Sequence, residues 1–211
     1  MNKDISKMSH LLFEPTGKKI VLHVGCGSPH PNRLHPMFCE SEWKEVRLDI
    51  DPHVQPDIIA SITDMNIVPS ECADAIYSSH NLEHLYPHEV LVALREFVRV
   101  LKLTAFALIS LPDIQAVAEL VVADKLDEPA YQSPAGPIAP LDILYGHRTS
   151  MASGNLFMAH KTGFSAKTLS HSIIQAGFAW GKIARDKQGF NLWAKAYKQM
   201  PDEEEVKATM W

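Results

Sequence analysis

The sequence predicts an α/β protein built on an open, doubly wound sheet of about seven strands, mostly parallel, with an antiparallel C-terminal hairpin strand. Three observations carry that expectation. Lys19-Ile-Val-Leu-His-Val24 is a run of aliphatic and β-branched residues broken abruptly by Gly25-Cys26-Gly27, as a strand buried on both faces and ending in a tight turn should be. Four further short apolar runs follow, separated by helical or irregular crossovers, as βαβ units require. After a last helix, two strand-like runs flank Asp186-Lys187-Gln188-Gly189, which reads as a hairpin turn.

Each element has a local reason. Met1 to Thr16 mixes polar and apolar residues without a period and reads as an arm lying over the domain. Beyond the glycine turn, prolines at 29, 31 and 36 forbid a good helix, so the first crossover should be irregular. Val46-Arg47-Leu48 is the second strand, Ile58-Ile59-Ala60 the third, and Cys72 to Ser79 the fourth. Pro87 then opens a helix where its missing N–H costs nothing, with Glu89 in the first turn and Val90, Leu91, Leu94, Phe97, Val98 and Leu101 at helical spacing. Thr104 to Leu111 is the fifth strand, stopped by Pro112, and Asp113 caps a helix with the stripe Ile114, Val117, Ala118, Val121.

From Lys125 to Gly163 the periodicity fails under repeated Pro and Gly, yet Tyr131, Ile138, Leu144, Tyr145 and Phe157 argue against disorder. That segment is expected to be an irregular lid or acceptor-pocket insertion, with a dimer surface as the other reading. Ser165 caps a helix ending at Ala176-Gly177, and Ala179 to Ala184 and Phe190 to Ala196 are the last strands. Residues 1–211 therefore read as one domain, with 125–163 inserted in it and 201–211, carrying Asp202-Glu203-Glu204-Glu205, a flexible acidic tail.

Composition narrows the function. Apolar residues at 46% and charged residues at 21% place the chain among globular proteins, and the net charge of −5 speaks against broad nucleic-acid binding. No run of 18 apolar residues exists to span a membrane. Three cysteines, an odd number, and no signal-peptide pattern point to the reducing cytoplasm.

The chemistry centres on the first turn. Gly25 and Gly27 let the backbone pass close beneath a ligand, and about twenty residues later Asp49 ends the second strand, which is how an α/β sheet holds an adenosine. A dinucleotide fingerprint wants a third glycine where His30 stands, and no Gly-Lys-Ser/Thr phosphate loop occurs. A ligand with ribose and no phosphate fits better, and S-adenosylmethionine is such a ligand. Cys26, His30, His35 and Cys39 match no common zinc spacing, so no metal is expected.

Val21 to Gly27 resembles the first motif of class I S-adenosylmethionine-dependent methyltransferases. Ala73 to Leu85, with Leu82-Glu83-His84 after the fourth strand, is similar to the signature of the small-molecule branch of that family, and the likeness extends over roughly Lys19 to Lys198. The resemblance implies an enzyme that moves a methyl group to a small-molecule or sugar acceptor. It implies cofactor contacts from Gly25, Cys26, Gly27, Asp49, Ile50, Ile62, Thr63, Asp64, His80 and Asn81. Two departures, His23 where the family usually has Asp or Glu and Ser61 where it often has an acid, keep open a binding protein without turnover. Methyl transfer needs alignment first, and a base only if the acceptor is protonated. The candidate catalytic residues are the pocket-mouth histidines His84, His147 and His160. A homodimer is compatible with all of this.

Overall fold

The computed structural model describes residues 11–14, 16–30, 33–186 and 188–208. Its strands are β1 (Lys19–Val24), β2 (Trp43–Asp49), β3 (Ile58–Ile59), β4 (Ala73–Ser79), β5 (Leu101–Pro112), β6 (Tyr131–Ser133), β7 (Gly136–Ile138), β8 (Trp180–Asp186) and β9 (Asn191–Tyr197). Seven of them form one sheet in the order β3-β2-β1-β4-β5-β9-β8. The first five run parallel, and β9 lies antiparallel to both β5 and β8. Helices are α1 (Pro87–Val100), α2 (Ile114–Val122), α3 (Pro140–Tyr145), α4 (Arg148–Ala152), α5 (Ala166–Ala176) and α6 (Glu203–Ala208).

The two faces of the sheet are buried unequally. On one, Ile20, Leu22 and Val24 join Ala93, Leu94 and Phe97 of α1 and Leu169 and Ile173 of α5 in the main core. Phe97 has no exposed surface, and truncation to Ala there would cost about 3–5 kcal/mol. On the other face Val21, Ala75, Tyr77 and Leu108 are covered by Phe38, from a single 3-10 turn at Pro36–Phe38. That turn is all the prolines allow of a first crossover helix, and Trp43, Phe106 and Trp193 complete the cover from the side.

Differences from the sequence reading have local causes. Strand β2 starts at Trp43 and β5 at Leu101, because pairing with neighbours extends strands past their apolar centres. Helix α1 therefore hands over to β5 at Val100 without a loop, and Leu101, assigned above to the helix, belongs to the strand. Strand β3 is two residues, Ile58 and Ile59. Residues 125–163, expected to be irregular, hold the β6–β7 hairpin, α3 and α4, and enclose a small core of Val117, Ile138 and Ile143. The prolines hid this: Pro140 is not a breaker but sits in the first turn of α3. Glu203–Ala208 of the expected tail is helical, while 209–211 lie outside the described residues. Most of the N-terminal arm also lies outside them, and Leu12 and Phe13 pack on the main core.

Candidate functional site

Register brings the first turn and the end of β2 together. Val24 pairs with Leu48, so the chain leaves both strands at one level, and Cys26 N–H donates to Leu48 O at 3.2 Å. Gly25 and Gly27 both take φ +60°, a left-handed conformation in which any Cβ is strained. Gly27 N–H donates to Asp49 Oδ2 at 2.8 Å and Asp51 N–H to Asp49 Oδ1 at 2.9 Å. Each carboxylate oxygen keeps a lone pair for a hydroxyl donor. A Cβ on Gly25 would run into the Asn81 side chain, and one on Gly27 into the Arg33 guanidinium. Among the described residues, Asn81 Nδ2 and Ser78 Oγ, at the end of β4, are buried without a hydrogen-bond partner. Buried polar atoms left so are expensive, and a ligand's polar groups are one way to satisfy them.

The other expected cofactor contacts are placed less uniformly. Cys26 is buried, and burial above all pushes its thiol up to about 11, so it is a neutral wall of the turn. Ile50 is exposed beside Asp49, whereas Ile62 is buried in the main core. Thr63 Oγ1 lies 2.7 Å from Ser61 Oγ, and Thr63 and Asp64 line a groove of about 290 Å³ with Arg95, Glu96 and Arg99. None of Gly25, Gly27, Asp49 or Asn81 lines that groove. His80 takes φ +49° at the end of β4, its N–H bonded to Ser110 O at 2.9 Å. Cys26, His30, His35 and Cys39 form no metal-ligating group among the described residues.

His23 is not a gap in the site. It is buried, and its Nδ1 lies 2.6 Å from Glu45 Oε1 on β2, so a carboxylate returns to this corner from the neighbouring strand. Sequence reasoning missed Glu45. Only the register shows it: Val21 pairs with Glu45 and His23 with Arg47, which sets Glu45 and His23 on one face of the sheet.

A second cluster follows Asn81 directly. Glu83, in the 3-10 turn Leu82–His84, is 1% exposed, and among the described residues neither carboxylate oxygen has a hydrogen-bond partner. His80 Nδ1 lies 3.2 Å from Oε1, close enough for an ion pair but off the line of a hydrogen bond. His84 and His160 pack edge to face with ring centres 4.9 Å apart, and one ligand atom from each lies within 4.8 Å of the other and of a Glu83 oxygen. The structure thus unites two of the three expected catalytic histidines. His147 stands outside the cluster, its Nδ1 2.7 Å from Ser150 Oγ at the start of α4.

The backbone that delivers His160 is tightly held. Lys161 and Thr162 N–H groups both donate to Glu83 O, at 2.8 and 3.2 Å, and His160 N–H donates to Tyr145 O at 3.1 Å. Behind it, Asp142 accepts from Ala139 N–H at 3.0 Å and takes two guanidinium bonds from Arg148, at 2.8 and 3.1 Å. Hydrogen bonds from Arg148 and the nearby backbone outweigh burial and hold Asp142 down at about 2. Asp142 too was absent from the sequence reading, for its partner could not be known before α3 and α4 were.

Residues 22–109 match a family profile described as a methyltransferase domain. That stretch covers less than half of the chain. No curated protein matches the chain in sequence. Among solved structures, the chain resembles the CMeT domain of a citrinin polyketide synthase, with TM-score 0.57 and 12% identity over 88% of this chain; it spans about half, 48%, of that one. It also resembles the 1,6-didemethyltoxoflavin-N1-methyltransferase of Burkholderia thailandensis, solved with 1,6-didemethyltoxoflavin and S-adenosylhomocysteine, with TM-score 0.52 and 15% identity over 94% and 79% of the two chains. A third, a SAM-dependent methyltransferase of Archaeoglobus fulgidus, gives TM-score 0.53 and 14% identity over 92% of each. Identities this low speak for the fold, which is the class I methyltransferase fold expected from the sequence. Among the described residues, no helix is long and apolar enough to cross a membrane.

Proposed function

We propose that the domain transfers a methyl group from S-adenosylmethionine to a small-molecule acceptor, a sugar or comparable hydroxyl or amine compound, bound between Asn81 and the 125–163 segment. The observation that carries this reading is the convergence, at one end of the sheet, of the Gly25–Gly27 cradle, the Asp49 carboxylate and the unpartnered Asn81 amide. These residues suit a ligand that offers ribose hydroxyls and a polar amino-acid end. When bound, S-adenosylmethionine supplies a methyl group on a positively charged sulfur. In this reading Asp49 accepts from ribose hydroxyls, Asn81 donates to the ligand, and the two glycines leave it room.

Glu83, His84 and His160 form the polar wall on the acceptor side, and His84 and His160 are the residues assigned to the acceptor's reacting group. His147 becomes a positioning residue, at the head of α4. The 125–163 segment, with the small core it shares with Val117 of α2 and the Asp142–Arg148 pair, acts as a fixed wall whose exposed Tyr145 and Phe157 rim the entrance. Glu45 beside His23 weakens the case for a binding protein without turnover, since the carboxylate that His23 displaced is present after all.

The test is release of S-adenosylhomocysteine when the protein and S-adenosylmethionine are incubated with a panel of sugars, phenols, carboxylic acids and amines. Acceptor-dependent release is expected with at least one compound class. Calorimetric binding of a nicotinamide cofactor, with none of S-adenosylhomocysteine, would overturn the reading.

A further inference from the structure

We propose that Glu83, His84 and His160 bind one divalent transition-metal ion of the zinc class at the acceptor end of the site. The sequence reading expected no metal, since Glu83 and His84 lie in one turn and His160 beyond α4.

The carboxylate comes first. Glu83 is 1% exposed, yet both its oxygens lack a hydrogen-bond partner. A buried ionised carboxylate is stable only when paired or ligated; His80 at 3.2 Å pairs with Oε1, and Oε2 is left without a partner among the described residues. The histidines come second. His84 Nδ1 lies 3.1 Å from Ala159 O and His160 Nδ1 lies 2.9 Å from Ile143 O. A proton on each Nδ1, donated to a backbone carbonyl, leaves Nε2 with its lone pair free. Metal-ligating histidines are held in this way, with the second nitrogen donating to a carbonyl or carboxylate that fixes tautomer and ring orientation.

The spacing comes third. One ring nitrogen of each histidine and one Glu83 oxygen lie within 4.8 Å of one another. Tetrahedral ligands at about 2.0–2.1 Å from zinc stand roughly 3.4 Å apart, so small side-chain rotations would close the site. The backbone would not have to move, because Lys161 and Thr162 already tie the His160 segment to the carbonyl of Glu83. Two imidazoles and one carboxylate suit zinc and its transition-metal neighbours better than magnesium or calcium, which prefer oxygen throughout. Three protein ligands also leave a position open, as in catalytic sites, and an oxygen or nitrogen of the acceptor would fill it. That last role rests on the proposed methyltransferase reading; binding of the ion does not.

The experiment titrates chelator-treated protein with zinc by calorimetry and with cobalt by visible absorption. One equivalent should bind, with the intense visible bands of a four-coordinate cobalt site. Glu83→Gln and His160→Ala should each weaken zinc by about tenfold or more. His88→Ala, altering an exposed histidine at the start of α1, should not. Glu83→Gln keeps the shape of the side chain, so it stays informative if His160→Ala loosens the segment. Zinc should also raise the melting temperature of the parent and not of Glu83→Gln. Failure of the parent to bind either ion, or affinity unchanged in both variants, would overturn the proposal. S-adenosylhomocysteine titrated in parallel separates the two readings: zinc binding without it would sink the methyltransferase reading and leave the metal site standing.

Discussion

At the proposed cofactor end, position is set by the backbone: Gly25 and Gly27 at φ +60° and the carboxylate of Asp49 that accepts from Gly27 N–H. At the proposed acceptor end it is set by side chains brought from far apart, Glu83 and His84 from one turn and His160 from beyond α4. A backbone cradle is written within a few residues and tolerates change around it, but not at the glycines. A side-chain cluster depends on whatever holds its distant members, here Asp142, Arg148 and the strap from Lys161 and Thr162 to Glu83 O. The two ends should therefore fail in different ways.

The largest effect is expected at the cradle. Gly27→Val demands a branched side chain at φ +60° and should abolish S-adenosylhomocysteine binding while the protein stays folded by circular dichroism. Normal binding by this variant would put the cofactor elsewhere and erase the contrast.

Next is the hinge of the acceptor end. Gly146 takes φ +99°, and a Cβ there would strike the backbone carbonyl of Met158, across from the Gly146–Ala159 bridge that delivers His160. Gly146→Ala should cost about 1–3 kcal/mol and lower acceptor turnover more than cofactor affinity. Thermal melts and separate titrations would show this, and equal losses at both ends would mean that the two are one mechanical unit.

That glycine illustrates what sequence can and cannot show. The Gly25–Gly27 turn, α1 and the C-terminal hairpin were legible because each rests on a local pattern, a period or a turn residue within its own span. Glu45, Asp142 and the use of Glu83 were not. Each acquires meaning from a partner fixed only by sheet register or by the fold of 125–163: His23 for Glu45, Arg148 for Asp142, His160 for Glu83. His147 was expected among the catalytic histidines because it lies in the 125–163 segment expected at the pocket mouth; in the structure its Nδ1 lies 2.7 Å from Ser150 Oγ.

A smaller effect belongs to acid. The folded-state pKa of Asp142, about 2, lies below its ordinary 3.8. The stability it contributes is therefore full above about pH 4 and is lost as pH falls toward 2. Melting curves of parent and Asp142→Asn should converge as the pH is lowered through that window. A constant gap between them would mean that the Arg148 bonds contribute nothing through charge.

The smallest effect is expected from ligands on the acceptor-end wall. Because 125–163 shares a small core with Val117 of α2, cleavage in the apo protein should be confined to exposed Leu156 and Phe157, and cofactor product with acceptor should slow it only modestly. Strong protection would instead make the segment a closing lid, and protection that follows protein concentration alone would make it a dimer surface.

The central claim is that the cradle and Asp49 hold the cofactor, and calorimetry with S-adenosylhomocysteine on parent and Asp49→Ala tests it most directly. Losing a charged acceptor of hydroxyl hydrogen bonds should cost about 1.5–3 kcal/mol, so the parent should bind and the variant should bind tenfold or more weakly while still folded by circular dichroism, its melting temperature lowered by loss of the Gly27 and Asp51 bonds. Equal affinities in the two proteins would contradict the account.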